Sequence, residues 1–449
     1  MHRRGAGLCG LLLGLALEKY APDVDFEIYE AAAELKQAGV GIGLLPRSMF
    51  VLKELGLEAA ALAVAGNGEK SRLPLLHRKS DQRDAFTFNS TDQIDDPAPF
   101  HRGELQKVFI DHLRSPGRIH LGKRFVSYGE VEGSPGKIEI RFEDGSTTTC
   151  DLLVGCDGIK SRVRSAMFTR LAAAASAAGR DDEAELLRSY IPAVFTGSCA
   201  YRGVLHLKQE ACNENEPRPL VRSNMILHLI AYPIQQGRAL NVAAVITKPE
   251  LQGTIYPGPW TVNAPAEEVV KEYVDWEPEL VDIVQNMGSW SKWAVNMVKD
   301  LPTFVDGRVA LVGDAAHAMP PHQGAGVGQG FEDVLMLGLL LGRSNVTRET
   351  IPVALKIYDQ LRRPFAQKVA ALSLKSGHLH SFIGPEFAGI TREMSAAGEG
   401  LTREDLAKVA ERLQGVQEWR KGTNVMNDCQ TAIRMLDEEL AKPSTVNLQ

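Results

Sequence analysis

A glycine-rich run from Gly313 to Asp333 constrains the fold more than any other part of this chain. It follows an apolar segment ending at Val312, and its four glycines between positions 324 and 330 come after two prolines. Glycine lets the backbone approach a ligand closely, and a helix N-terminus attracts electron-rich groups. The run therefore predicts a strand, a ligand-binding loop and a helix that begins near Gly326, rather than a surface turn. Asp314 stands at the carboxyl end of this strand, where open α/β sheets bind ligands.

A second glycine motif lies at the start of the chain. Gly5, Gly7 and Gly10 fit the pattern G-x-G-x-x-G, and Glu30 ends the next predicted strand. In dinucleotide-binding folds such glycines bring a helix N-terminus to a pyrophosphate, and the carboxylate binds a ribose hydroxyl. A strand should precede the motif, but only residues 1–4, two of them arginine, are available. Because buried parallel strands are apolar, we expect the first strand to be missing, through truncation or divergence.

Length and charge exclude several classes of protein. The 449 residues exceed what one small core needs, which favours two intergrown domains. The formal net charge of −6, without a basic block, argues against nucleic-acid binding. The six cysteines show no metal-binding spacing, so we expect reduced thiols, no metal site and a cytoplasmic location.

The N-terminus allows a second interpretation. Its first 17 residues are basic and then apolar, like a secretory signal, but no small-residue cleavage site follows. No apolar run reaches the roughly 20 residues that a membrane span needs. We therefore expect no membrane span.

The two glycine motifs together resemble those of the FAD-dependent aromatic-ring monooxygenases, the family of salicylate and para-hydroxybenzoate hydroxylases. The resemblance implies that the Gly313-Asp314 pair contacts the ribityl chain of FAD, and that the following loop faces the flavin ring. The loop positions that match are Gly324, Ala325, Gly326 and Val327. By the same resemblance, Gly5, Gly7, Gly10 and Glu30 hold the ADP end of FAD.

Three further elements extend the resemblance. Asp157 and Gly158 match the family's Asp-Gly motif, although the pair is also typical of a simple turn. Arg102 and Leu105 match an Arg-x-x-Leu element whose arginine binds the diphosphate, since a guanidinium suits phosphate geometry. A solvated arginine at a helix start is the alternative. Gly43 belongs to a segment, residues 39–46, that matches the loop under the flavin ring.

The pattern of elements predicts an α/β fold. We expect a Rossmann-like FAD-binding domain of the GR2 type, with an inserted mixed or antiparallel substrate sheet and a C-terminal helical region. The predicted boundaries are 1–165 and 296–385 for the two parts of the FAD domain, 166–295 for the substrate sheet with a helical connector, and 386–449 for the C-terminal helices. Within the substrate sheet, alternation predicts strands at 198–207, 225–233 and 239–247.

The resemblance also implies the reaction. NADH or NADPH would reduce FAD, and O2 would add at the flavin C4a position to give a hydroperoxide. A small phenolic, salicylate-like aromatic substrate would then attack the distal oxygen. Such a site must favour the phenolate and exclude water.

Four residues are candidates for this chemistry. Arg202, on a predicted strand of the substrate sheet, can stabilise a phenolate or a carboxylate; an arginine paired with a surface acid is the alternative. His322 and His228 have the pKa range for proton transfer, but His228 can equally be a sheet-lining residue. Pro321 is expected to shape the loop beside the flavin.

Other functions stay open at this point. One is a flavin monooxygenase or epoxidase of secondary metabolism, acting on a polyketide or terpenoid phenol. Another is a truncated homologue that cannot hold FAD. A plain nicotinamide dehydrogenase is disfavoured, because such enzymes do not need the Gly313-Asp314 motif.

Overall fold

A computed structural model describes residues 2–35, 41–65, 75–91, 98–206, 220–224, 227–234, 239–421 and 424–442. Its strands, in chain order, are β1 (His2–Arg4), β2 (Glu27–Tyr29), β3 (Gly41–Leu44), β4 (Leu75–Lys79), β5 (Phe86–Thr91), β6 (Ala98–His101), β7 (Ile119–His120), β8 (Phe125–Glu130), β9 (Ile138–Phe142), β10 (Thr147–Cys150), β11 (Leu153–Gly155), β12 (Val194–His206), β13 (Leu220–Asn224), β14 (Leu227–Ile234), β15 (Ala239–Thr247), β16 (Thr261–Ala264), β17 (Trp290–Met297), β18 (Val305–Asp306) and β19 (Val309–Leu311).

The helices are α1 (Leu8–Tyr20), α2 (Pro46–Glu54), α3 (Glu58–Val64), α4 (Arg102–His112), α5 (Arg162–Ala177), α6 (Asp181–Arg188), α7 (Ala266–Tyr273), α8 (Pro278–Gln285), α9 (Asp314–His317), α10 (Gly326–Leu341), α11 (Ile351–His380), α12 (Arg392–Ala396), α13 (Arg403–Gly415) and α14 (Val425–Leu440). The helix predicted to begin near Gly326 is confirmed by α10. No helix in the described ranges is long and apolar enough to cross a membrane.

A six-stranded sheet carries both glycine motifs. Its strand order is β18-β19-β11-β1-β2-β7, and all its pairs are parallel except β18 with β19. Helices α1 and α10 pack against each other beside this sheet. They enclose the largest apolar core, in which Leu11, Leu12, Val334 and Leu337 are fully buried. The predicted α/β, Rossmann-like fold is confirmed by this sheet.

The first strand is present, and the expectation that it is missing is wrong. Residues His2–Arg4 form β1 between β2 and β11, in parallel register with both. The amide of Gly5 extends the pairing with a 2.8 Å bond to the carbonyl of Tyr29. The prediction required a run of apolar side chains, whereas sheet pairing uses backbone groups that every non-proline residue supplies. Three residues suffice, because β2 and β11 are also only three residues long.

An eight-stranded mixed sheet forms the second layer, with the order β16-β17-β12-β15-β14-β13-β4-β5. The predicted strand at 239–247 matches β15, and those at 198–207 and 225–233 match β12 and β14, with Leu207 and Met225 lying outside the described residues. Strands β4 and β5 join this sheet from the region before α4, through the parallel pair of β13 and β4. Helices α7 and α8 cover one face.

Helices α11 to α14 follow the second glycine motif, so the helical C-terminal region is confirmed. Helix α13 begins with a capping box, in which the Thr402 hydroxyl and the Asp405 carboxylate each satisfy the other's backbone amide. Its apolar side packs near β5, since Leu406, Val409 and Leu413 share a cluster with Phe86 and Phe88. The C-terminal helices are therefore attached to the eight-stranded sheet as well as to the six-stranded one.

Candidate active site

The G-x-G-x-x-G glycines divide into two that the fold requires and one that leaves space. A Cβ at Gly10 would lie 1.9 Å from the carbonyl oxygen of Gly5, and one at Gly5 would lie 2.5 Å from that of Cys156. Gly5 also has a φ of 95°, which side chains rarely adopt. A Cβ at Gly7 would meet no atom of the described residues within 4 Å. Gly7 therefore leaves the entrance to α1 open to a ligand.

A cavity of about 440 Å³ lies beside this opening. Its walls include Gly7, Glu30 and Arg102. The sequence analysis assigned Gly7 and Arg102 to the phosphates of the cofactor and Glu30 to a ribose hydroxyl. Both carboxylate oxygens of Glu30 accept backbone amides, from Ala6 at 2.8 Å and from Ala32 at 2.9 Å. Each oxygen keeps a second lone pair for a hydroxyl. Helix N-terminus, carboxylate and arginine thus surround one space, and they fit the ADP part of FAD.

The loop from Gly313 to Val327, called the 313–327 loop below, carries Asp314 at its start. Gly313 has a φ of 62°, and Asp314 is the exposed first residue of α9. Desolvation raises the pKa of Asp314, and interactions with His317 and Arg102 oppose this shift. A Cβ at Gly313 would lie 3.0 Å from Sγ of Cys9 on α1. The two glycine motifs therefore lie side by side.

The same loop turns at Gly324, whose φ of 63° is left-handed, and enters α10 at Gly326. Pro321 and Gly324 are exposed, Gly326 and Val327 are partly exposed, and Ala325 is buried. Backbone at this surface can approach a flat ring without obstruction from side chains. This placement suits the flavin end of the cofactor.

A buried ionic network, which the sequence analysis missed, lies behind the loop. Asp333 accepts hydrogen bonds from the Gly313 amide at 3.0 Å, from His317 Nε2 at 2.6 Å and from Arg362 Nε at 2.8 Å. Burial alone would raise the pKa of Asp333, but His317 and Arg362 outweigh it and lower the pKa to about 2. Glu332 continues the network by binding both Arg362 and Arg47. The network fixes the turn that presents Asp314.

The Asp-Gly motif stabilises the start of α5 through the hydrogen bonds of Asp157. The carboxylate of Asp157 accepts from the Ser161 hydroxyl at 2.5 Å and from the Arg162 amide at 2.8 Å, so it caps α5. Gly158 follows with a φ of 75°. Buried Arg164 then binds the carbonyl of Ala315 at 2.8 Å, which ties this turn to the 313–327 loop. Contact of Asp157 with a cofactor stays a prediction.

Two other predicted cofactor residues are placed by packing. Leu105 is fully buried in the large core, where it anchors the helix that begins at Arg102. Gly43 is partly exposed on β3 and pairs with Pro99 on β6. Gly39 and Val40, which belong to the same predicted loop, lie outside the described residues.

Arg202 lies on the sheet face opposite to α7 and α8. Its neighbour Tyr201 packs into the core under those helices, and side chains alternate along a strand. Strand register places Ala200, Val245 and His228 in one row across β12, β15 and β14. Arg202, two residues beyond Ala200, shares the face of this row. No ion pair joins Arg202 to another residue of the described part, so the surface-pair alternative finds no support there.

His228 connects that face to the 313–327 loop. Its ring meets the ring of His322 edge-on, with centroids 5.4 Å apart, and its Nδ1 lies 2.7 Å from the Ser381 hydroxyl. Burial lowers the pKa of both histidines, that of His322 to about 4. Both rings are therefore neutral near pH 7, and each is a weaker base than a free imidazole. The structure thus brings His228 and His322 into contact, and Arg202 lies two strands away on the sheet face that carries His228.

Two further histidines, which the sequence analysis did not consider, extend this cluster. His380 lies 5.6 Å from His228 between ring centroids, and His77 stacks on His380 at 5.4 Å. His380 on α11 and His77 on β4 do not belong to a sequence motif. Their proximity could not be predicted, because only the tertiary fold places these two elements side by side.

The fold and the paired glycine loops define a flavoprotein of the Rossmann class. A family model described as "FAD binding domain" matches residues 5–179 and 261–373. The chain belongs to the FAD-dependent aromatic-ring monooxygenases, and its cofactor is FAD.

Individual relatives agree with this membership. A salicylate hydroxylase of Pseudomonas putida is 31% identical over 414 residues, which are 90% of this chain and 89% of the relative. The FAD-dependent monooxygenase str9 of Strobilurus tenacellus is 31% identical and covers 97% of both chains. A solved salicylate hydroxylase substrate complex superposes with a TM-score of 0.78 at 26% identity, over 96% of this chain and 97% of that one.

Proposed function

We propose that this monooxygenase hydroxylates a small phenolic, salicylate-like substrate at the expense of NADH or NADPH and O2. One observation carries the proposal. The sheet face that bears Arg202 also bears His228, and His228 contacts His322 of the 313–327 loop. This arrangement supports a role for Arg202 and the two neutral imidazoles in binding a phenolic acid. Relatives support the substrate class, since they are named salicylate hydroxylase and, in Aspergillus terreus, 6-methylsalicylate 1-monooxygenase.

Bound FAD would accept a hydride from NAD(P)H and activate O2 for oxygen transfer. For each NAD(P)H oxidised, one oxygen atom enters the aromatic ring and the other leaves as water. The residues that would hold FAD are Gly7, Glu30 and Arg102 at the ADP end, and Asp314 with the loop backbone at the flavin end.

Arg202 has the chemistry to bind the anionic part of the substrate. A guanidinium pairs with a carboxylate through two parallel hydrogen bonds, and its charge favours a neighbouring phenolate over the phenol. Among the described residues, no acidic side chain forms an ion pair with Arg202. We propose that Arg202 sets both the orientation and the ionisation of the substrate.

We propose that His322 orients the phenol of the substrate. Its ring is only partly exposed, and burial lowers its pKa to about 4, so the neutral ring can accept a hydrogen bond from the phenol without taking its proton. His228 lies behind it with Nδ1 at the Ser381 hydroxyl and Nε2 without a partner in the described residues. Pro321, exposed next to His322, holds the loop in shape.

The proposal is tested with the purified full chain. We expect bound FAD from its visible absorption, and oxidation of NADH or NADPH that salicylate stimulates. Isotopically labelled O2 should place one labelled oxygen in the product, and mass spectrometry of that product distinguishes simple from decarboxylating hydroxylation. NAD(P)H oxidation that no phenolic acid stimulates, or that yields only hydrogen peroxide, would contradict the proposal.

Arg202 is tested separately. Arg202→Ala should raise the KM for salicylate at least tenfold, as expected for loss of a charge-assisted pair, with unchanged FAD content. Arg141→Ala is the matched control, because Arg141 is an exposed strand arginine of another sheet. Equal KM values in Arg202→Ala and the parent would remove Arg202 from the substrate site.

A further inference from the structure

Gln323 lies inside the 313–327 loop but turns its side chain away from the exposed surface of the loop. The residue is 5% exposed, and its amide is held on both sides. Nε2 donates to the carbonyls of Leu372 at 3.1 Å and Val416 at 3.0 Å, while Oε1 accepts from the Trp419 indole at 2.7 Å. These three hydrogen bonds therefore restrain the backbone on both sides of Gln323, at His322 and Gly324.

Two of these three contacts come from a segment that the family model does not cover. Trp419 and Val416 lie after α13, whereas the match to the family model ends at residue 373. A second bond joins this segment to the loop backbone, from Arg420 to the carbonyl of Gln323 at 2.9 Å. The C-terminal segment therefore binds both the side chain and the backbone of Gln323, directly before the left-handed residue Gly324.

Trp419 also shares an apolar cluster with residues of both stretches that are assigned to the flavin ring. These residues are Leu45, between β3 and α2, and Ala325 of the 313–327 loop. Phe365 of α11 meets the indole edge-on, and the guanidinium of Arg47 lies 5.1 Å from the Phe365 ring. Since Arg47 belongs to the ionic network around Glu332, the indole completes a continuous support behind the flavin end of the site.

We propose that Trp419 is a positioning residue for the flavin end of the site, acting through Gln323. The donation from its indole N–H orients the Gln323 amide, and the oriented amide sets the path of the backbone between His322 and Gly324. The proposal relies on FAD binding by this family but not on the identity of the substrate. The C-terminal segment is then part of the cofactor site, although no side chain of it needs to touch FAD.

The first test is Trp419→Phe, which removes the indole donor and keeps most of the packing. Oε1 of Gln323 then loses its partner in a buried position, a change that costs enough to weaken binding about tenfold. We expect the FAD dissociation constant of the apoprotein, measured by flavin fluorescence titration, to rise about tenfold. We also expect a larger share of NAD(P)H oxidation to end as hydrogen peroxide.

Two controls separate positioning from general damage. Trp276→Phe removes another buried indole, whose N–H has no partner in the described residues, and should leave the dissociation constant unchanged. Ser395→Ala weakens another buried polar attachment of the C-terminal region, where the Ser395 hydroxyl binds Lys79 at 2.7 Å and Asp81 at 2.5 Å. It should lower the melting temperature without changing FAD affinity.

Gln323→Glu provides a variant independent of Trp419. It keeps an oxygen for the indole but loses the two donations from Nε2, so we again expect weaker FAD binding. Unchanged FAD affinity and peroxide yield in Trp419→Phe and Gln323→Glu would overturn the proposal. An equal rise in the dissociation constant for Trp276→Phe or Ser395→Ala would also overturn it, because the effect would then not depend on the Trp419–Gln323 bond.

Discussion

The position of the His322 ring should change when a single methyl group is added at Gly377. Gly377 of α11 lies against the His322 ring, and a Cβ at this glycine would come within 2.4 Å of both Cδ2 and Nε2. Non-bonded heavy atoms prefer roughly 3.5–4 Å. Gly377→Ala therefore forces the ring to retreat by about 1 Å, since helix backbone yields less readily than a loop side chain.

The magnitude follows from this displacement. A misplacement of about 1 Å can cost about 100-fold in rate, so we expect kcat/KM for the phenolic substrate to fall roughly 10- to 100-fold. Stability should change much less. Alanine gains about 1 kcal/mol over glycine inside a helix, which offsets part of the 1–3 kcal/mol that overpacking typically costs.

The assay compares Gly377→Ala with its matched control Gly415→Ala. Gly415 is an exposed helical glycine, and a Cβ there would meet no described atom within 4 Å. Steady-state kinetics, FAD content and melting temperature are measured for both, and for His322→Ala alone and combined with Gly377→Ala. The methyl group should add no further loss once His322 is absent. If kcat/KM of Gly377→Ala stays within twofold of the parent at full FAD content, the assigned role of the His322 position is refuted.

Three further results are expected. Burial lowers the pKa of His77 from 6.5 to about 4, so its contribution to stability is complete above the higher value and is lost as the pH falls. Between about pH 7 and 5, denaturant unfolding of the parent should lose about 2 kcal/mol more than that of His77→Gln, while the losses from buried His228 and His322 occur in both. Gly10→Ala should prevent folding, because the new Cβ would lie 1.9 Å from a carbonyl oxygen, whereas Gly7→Leu should fold but lose FAD affinity in a fluorescence titration. Asp333→Asn should lower the unfolding free energy by about 3–5 kcal/mol, since it leaves His317 without its buried anion and Arg362 with Glu332 alone; a loss under 1 kcal/mol would contradict this assignment.

Local motifs allowed both ends of the cofactor site to be predicted. Gly5, Gly10 and Gly313 are required by backbone conformation or close approach within a strand, a turn and a helix. The positive φ of Gly5 and Gly313 and the approach of Gly10 to Gly5 arise within a few residues, so the residue types alone reveal them. The expected absence of the first strand failed for the opposite reason, because pairing of β1 depends on strands from distant parts of the chain.

Contacts between distant segments of the chain could not be predicted from sequence motifs. Arg47 and Glu332 are 285 positions apart, and neither belongs to a motif that predicts a buried ion pair. Gln323 could be placed in the loop from sequence, but its bond to Trp419 could not, since the last 60 residues carried no diagnostic pattern. Leu105 was assigned to the cofactor by its motif, and the fold places it in the core.

The sequence by itself determined a Rossmann-like nucleotide-binding fold, because glycine spacing and strand-end carboxylates report on backbone geometry that is local, and its resemblance to the aromatic hydroxylases implied FAD. Only the tertiary structure decided which face of the second sheet meets the cofactor loop. Strand register puts Arg202 and His228 on one face, and the packing of α11 seats His322 against Gly377 beside them. Register and packing depend on every paired strand and helix at once, and no short stretch of sequence contains that information.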